Sequence, residues 1–217
     1  MIARIDDIAK NHSIVVKVWL DFVCPFCLLA KGPLQEALEG FDVGIEWMPF
    51  ELRPQPMPTL RPEDEYLPDI WARSVYPMAS EMGVPIKLPT ISPQPYTRLA
   101  FEGFQHARRH GKEEHYVDAV LKAFFQADQD IGLVSVLSAV AGSIGLSPTD
   151  FSRDLHQGTY RQTHVAALAV ARNQGIRSVP TIMVGSQHFQ GVPTVAALRK
   201  AVATQSTTAI KTHSSDE

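Results

Sequence analysis

Cys24 and Cys27 hold every thiol of the 217-residue chain, with only Pro25 and Phe26 between them. A Cys-x-x-Cys pair supports two main chemistries, a dithiol that cycles with a disulfide or half of a tetrahedral zinc site. Zinc needs four ligands, and the sequence has no second Cys-x-x-Cys and no histidine pair near this stretch. His106 and His110 share a helix face at i and i+4, but Arg108, Arg109 and Lys112 beside them mark the solvated basic end of a helix. The remaining reading, two buried structural thiols, is weakened by where the pair falls. A strand pattern gives way there to a helix pattern, which puts Cys24 at the N-cap with its sulfur facing unpaired backbone N–H groups.

Redox chemistry favours that position. Partial positive charge at a helix N-terminus favours the thiolate, the species that attacks a disulfide. Cys27, one turn further in, is shielded but close enough to attack the mixed disulfide once it forms. Pro25 suits the first helical position, where its missing N–H has no intrahelical role. Phe26 supplies apolar surface for an unfolded or hydrophobic partner and donates no hydrogen bond to the sulfur. Asp21, three residues before Cys24, is either a proton acceptor for Cys27 or a polar strand end that caps the turn, and the second reading is preferred.

The elements that must hold these residues are legible in outline. "SIVVKVWLDFV" at 13–23 is a nearly continuous apolar, β-branched run, as in a strand buried on both faces. From Pro25 to Gly40 apolar residues recur at helical steps, with a kink expected at Gly32-Pro33. "VGIEWMPF" at 43–50 is a second strand, so the chain opens as a βαβ unit with parallel strands. A proline-rich stretch follows, and the signals from about 64 to 174 are almost all helical. Ser92-Pro93 and Ser147-Pro148 read as N-cap serines before N1 prolines, and Gly111, Gly145 and Gly175 stand at helix ends. "TIMVG" and "HFQG" form a closing hairpin, then a helix, then a polar tail from Thr204 expected to be disordered. Trp19, Trp47 and the aromatics of "AFFQA" read as core or cleft wall.

Composition narrows the function classes. A net charge of -3 with scattered basic residues offers no general attraction to nucleic acid or anionic lipid. The N-terminus lacks the apolar core of a secretory signal, and no run reaches the roughly 18 apolar residues of a membrane span. The expectation is a cytoplasmic protein with no nucleic-acid or membrane partner.

Val179-Pro180, placed just before a predicted strand, adds an independent feature, because X-Pro is the common site of a cis peptide. With the Cys-x-x-Cys helix start and the closing hairpin and helix, it matches an α/β thioredoxin-like fold with an inserted all-helical subdomain. The thioredoxin-like domain is expected to be discontinuous, 1–60 and 175–217, with the insertion at 61–174 capping the active-site face.

Over nearly its whole length the chain resembles the DsbA-like thioredoxin-fold oxidoreductases, and within them the FrnE-like branch. The resemblance is carried by "LDFVCPFC", "MPFELRPQP", "AFFQADQDIGLVSVL" and "GIRSVPTIMVGSQHFQGVP". It implies that Cys24 is the nucleophile, Cys27 the resolving thiol and Pro180 a cis-proline facing them, with Val179 offering backbone groups to an extended substrate. Pro25 and Phe26 complete the substrate-contacting set. The branch commonly has tryptophan at Phe26, and its usual pattern near Pro95 is replaced by "YTRLAFEG".

The function expected is thiol-disulfide exchange with protein thiols or disulfides, or with glutathione as co-substrate. A redox-active disulfide would be the sole cofactor, with no metal, and a homodimer is compatible with the fold. A glutathione-dependent isomerase or transferase of the kappa-class or hydroxychromene-carboxylate isomerase type is the alternative. Such relatives typically carry serine at the Cys24 position and lack the resolving thiol. A non-catalytic binding module is the third reading, and it would make both cysteines dispensable.

Overall fold

The computed structural model of the chain describes residue 12 and residues 14–213. Strand β1 (Ile14–Leu20) pairs in parallel with β2 (Val43–Pro49), from Ile14 opposite Val43 to Leu20 opposite Pro49. Strand β3 (Thr181–Val184) runs antiparallel on the other side of β1, and β4 (Gln187–Gln190) closes the hairpin. The four-stranded order β2-β1-β3-β4 makes β1 central, which explains its apolar run. Lys17, half-buried on β1, spends its charge on Glu46 of β2 at 3.7 Å.

Helix α1 (Pro25–Leu29) and helix α2 (Lys31–Leu38) are separated at Ala30, where a single helix with a kink was expected. In a straight helix the Pro33 ring would strike the Leu29 carbonyl, so the chain breaks between them. The helical insertion follows β2. Helix α3 (Tyr66–Ile70) passes through a π-helical turn (Trp71–Val75) into α4 (Tyr76–Glu81). The widened turn lies just before Pro77, whose ring would otherwise meet the Arg73 carbonyl. Then come α5 (Arg98–Arg109), α6 (Glu113–Phe125), α7 (Val134–Ser143), α8 (Pro148–Gln157) and α9 (Arg161–Asn173). Helix α9 packs on both α5 and β2, joining insertion to sheet. Helix α10 (Val195–His213) lies against α2.

The punctuation signals divide. Ser147 caps α8, its Oγ accepting the Asp150 N–H at 3.3 Å, and Gly111, Gly145 and Gly175 all sit at positive φ after their helices. Ser92-Pro93 begins no helix. Gln94 precedes Pro95 and is steered away from helical backbone; its N–H instead donates to the Leu60 carbonyl at 2.8 Å, and α5 waits until Arg98. The tail expected to be disordered from Thr204 continues α10 as far as His213. The Thr204, Ser206 and Thr207 hydroxyls donate to carbonyls four residues back, so these polar residues satisfy themselves on the helix.

The core runs unbroken from the sheet into the insertion and contains Trp19, Trp47, Phe124 and Phe125, as expected. His106 departs from expectation. It is buried, with Nδ1 2.9 Å from the Asp154 Oδ2 atom and Phe151 against its ring, so it belongs to the α5–α8 interface. Among the described residues no cluster of His, Cys, Asp or Glu is arranged to hold a metal ion. Nor is any described helix long and apolar enough to cross a membrane.

Gly103, midway along α5, is where α6 and α8 press closest: a Cβ there would overlap the Tyr116 hydroxyl and the Phe151 ring. Helix propensity alone would make Gly103→Ala stabilising by about 1 kcal/mol, whereas overpacking costs about 1–3 kcal/mol. The expected result in urea unfolding is net destabilisation; a stabilised variant would contradict the close α5–α6–α8 contact.

Candidate functional site

The parallel pairing of β1 and β2 brings both strand ends to one edge of the sheet. There the Phe50 N–H donates to the Leu20 carbonyl at 3.0 Å, and the chain leaving β1 turns through Asp21 and Phe22 into α1. Cys24 is the N-cap of α1, at φ -94° and ψ 111°, with Pro25 in the first turn. Its N–H donates to the Asp21 carbonyl at 3.0 Å, and the Cys27 N–H donates to the Cys24 carbonyl at 3.0 Å. Both cysteines are free thiols.

The Val179-Pro180 peptide is cis, and its loop faces the same edge. The Cys24 Sγ donates to the Val179 carbonyl at 3.4 Å. That carbonyl is therefore turned to the thiol. Pro180 is buried, and its carbonyl accepts the Gly191 N–H at 2.9 Å, which fastens the loop to the hairpin.

The two sulfurs differ in surroundings. Cys24 lines a cavity of about 220 Å³; Cys27 lies behind it, fully enclosed, and burial first, then its contact with Cys24, pushes its thiol well above the usual range. The half-buried Phe26 and the buried Val179 share the Cys24 wall, while Tyr66, Ile70, Trp71 and Val75 face them from α3 and the π turn. Leu52 and Tyr66 remain 40% and 58% exposed and give the opening an apolar lip. Among the described residues, Arg53 is the cation on the lining. Its guanidinium donates to the Pro58 carbonyl at 3.1 Å, which leaves most of its donors for a ligand.

Asp21 is the residue whose environment differs most from the sequence reading. It does act as a cap, since its Oδ2 accepts the Leu52 N–H at 2.7 Å and so ties down the chain leaving β2. But the side chain is only 1% exposed, and its Oδ1 has no hydrogen-bond partner among the described residues. Burial drives its carboxyl up to about 7, against the pull of the Leu52 N–H. Asp21 also contributes to the electrostatics of Cys27, so a carboxyl driven up toward neutrality bears on the inner thiol. The spacing to Cys24 was visible in the sequence; the depth of the carboxyl was not. Arg53 and Trp71 carried no sequence signal, because their roles depend on where the insertion folds back.

The arrangement can therefore present one sulfur to a cavity, hold a second behind it, and move a proton at a buried carboxyl. Comparison with known proteins agrees with the fold. The model of the DSBA-like thioredoxin domain matches residues 15–203. A relative from Bacillus subtilis (strain 168), an uncharacterized protein called YwbO, is 41% identical over 192 residues, 88% of this chain and 96% of that protein. Among solved structures, a probable DsbA oxidoreductase from Streptomyces coelicolor superposes with a TM-score of 0.74 at 19% identity, covering 88% of this chain and 89% of its own. A 2-hydroxychromene-2-carboxylate isomerase superposes with a TM-score of 0.72 at 18% identity, covering 88% of this chain and 95% of its own. At such identities these two structures speak for the fold, whereas the domain match spans most of the sequence: the chain belongs to the DSBA-like thioredoxin domain family.

Proposed function

We propose that the protein is a thiol-disulfide oxidoreductase that exchanges its Cys24-Cys27 dithiol with small disulfides or extended, unfolded segments. One observation carries this reading: an outer sulfur at a helix N-terminus opens on a cavity, with a second sulfur one turn behind it. In the first step the Cys24 thiolate attacks a substrate disulfide, forming the mixed disulfide and expelling one substrate thiolate. In the second, Cys27 loses its proton to Asp21 and its thiolate attacks the Cys24 sulfur. The protein disulfide forms and the second substrate thiolate leaves. Two electrons pass from the dithiol to the substrate, and run backwards the same steps oxidise a substrate dithiol. No cofactor beyond the two sulfurs is required.

The cavity argues about size. Cys24 is 5% exposed and is faced across about 220 Å³ by the insertion, so the disulfide of a rigid folded domain has no straight approach. A low-mass disulfide or a flexible chain does. Arg53 suits a carboxylate on such a substrate, which makes glutathione a reasonable partner. The same enclosure, with the isomerase as a fold neighbour, supports a second reading, glutathione-dependent isomerisation. That chemistry needs one activated thiol and no resolving partner. Cys27→Ser distinguishes the two. It should accumulate a mixed disulfide at Cys24, detectable by intact mass, and lose multiple-turnover disulfide reduction; Cys24→Ser should lose both. Unimpaired turnover in Cys27→Ser would favour the isomerase reading.

Asp21 yields a test in pH. Its ordinary value of 3.8 applies to the unfolded chain and about 7 to the folded one. Below pH 3.8 the group is protonated in both states and contributes no difference. Between the two values the folded state binds the extra proton, so stability falls as pH rises, and above about 7 the full penalty applies. Asp21→Asn should therefore raise stability by a few kcal/mol on the alkaline side and by almost nothing near pH 4, in thermal melts at matched ionic strength. The same variant should slow the resolving step by about 10²-fold. Equal stability gains at both pH values would refute the buried-acid assignment.

A further inference from the structure

Glu51 and His164 form a buried hydrogen-bonded pair that the exchange steps leave unused. His164, on α9, places Nε2 2.5 Å from the Glu51 Oε1 atom. Their side chains are only 1% and 6% exposed, and the His164 Nδ1 has no hydrogen-bond partner among the described residues. Desolvating both groups offsets most of their attraction, so such a pair is a poor device for stability alone. Its place in the fold suggests another use. Glu51 directly precedes Leu52, whose N–H holds the Asp21 carboxylate. On the far side the His164 ring stacks on Phe101, with centroids 5.3 Å apart and planes at 13°. Phe101 in turn lies 4.6 Å from Phe22, the residue that follows Asp21. The pair thus meets the Asp21 turn along two routes, one through backbone and one through stacked rings.

The surrounding charges are few. On α5, Glu102 is held by Arg98 at 3.8 Å and by Arg161 of α9 at 3.4 Å. Arg53 stands two residues along the Glu51 segment and donates to the Pro58 carbonyl. Asp21 itself faces Glu51, Thr97 and the Leu52 N–H, with Cys27 beyond. Glu51 is therefore the carboxylate that Asp21 feels, and His164 is the group that draws its charge away.

We propose that His164 is a positioning residue for the exchange, setting through Glu51 the pH at which Asp21 can accept the proton of Cys27. The inference rests on Asp21 taking that proton, as in the function proposed above. With the imidazole in place, Glu51 charge is tied up in a short hydrogen bond and Asp21 ionises more readily. Without it, a bare carboxylate faces Asp21, and like charge holds the Asp21 proton on. The insertion would thereby tune chemistry in the sheet domain from a residue that touches neither sulfur nor substrate.

The test uses the full chain, reduced, and a chromogenic nitroaromatic disulfide as the probe in stopped flow. The first aromatic thiolate released reports formation of the mixed disulfide at Cys24, and the second reports resolution by Cys27. In the wild type the resolution rate should rise with pH through a midpoint near 7, the Asp21 value. Glu51→Gln removes the opposing charge and should move the midpoint down by about one pH unit; His164→Phe should move it up by a similar amount. The double variant separates electrostatics from packing. If His164 acts through Glu51, adding Glu51→Gln to His164→Phe returns the midpoint below that of the wild type. If His164→Phe does not fold, Glu51→Gln alone decides by the direction of its shift. Slower resolution with an unmoved midpoint in the variants would overturn the inference while leaving Asp21 as acceptor. A midpoint that persists in Asp21→Asn would overturn both.

Discussion

A carboxylate kept away from water is the constraint on which the site depends. Asp21 sits where β1 ends, and the neighbouring end of β2 supplies the Leu52 N–H that it accepts. That hydrogen bond ties the turn carrying Cys24 and Cys27 to the segment carrying Glu51 and Arg53. Burial of the carboxyl with no partner for Oδ1 among the described residues costs stability. It also produces an acid that changes state near neutral pH, which an exposed aspartate would not do. Stability given up at such a point is a common mark of a working site.

The insertion completes what the sheet begins. Helices α3 and α4, joined by the π turn before Pro77, put Trp71 and Val75 across from Cys24, so its sulfur faces a cavity instead of open solvent. Helix α9 reaches back to β2 and sets His164 against Glu51. Cys24 is thus enclosed by apolar packing from the insertion, while the buried polar groups gather around Asp21. In the proposed exchange the cavity selects what reaches the outer sulfur, and the buried polar groups set when the inner one acts.

Much of this was legible in the sequence, for identifiable reasons. The β1 run, the parallel β2, the Cys24 N-cap and the β3–β4 hairpin follow from local patterns, since a central strand must be apolar and a proline after an N-cap fits only one way. Pro33 announced an interruption, though its geometry, a break at Ala30, needed the carbonyl that the ring would strike. Ser92-Pro93 misled because the cap signal was read without Pro95, two residues on, which steers Gln94 away from helical backbone. The polar tail beyond Thr204 misled because hydroxyls can bond within a helix as well as to water. The burial of His106, His164 and Asp21 escaped the sequence for one reason. Each is polar by type but buried by tertiary contacts from elements 30 or more residues away, and no local pattern encodes that.

The central claim is that the Asp21 carboxyl takes the proton of Cys27. It is tested most directly by a carbon-13 NMR titration of the Asp21 side-chain carboxyl in the reduced protein. The account predicts a midpoint near 7 that moves when Cys27 is replaced by serine, because the two groups share a proton. A midpoint close to the ordinary 3.8, indifferent to Cys27, would contradict it.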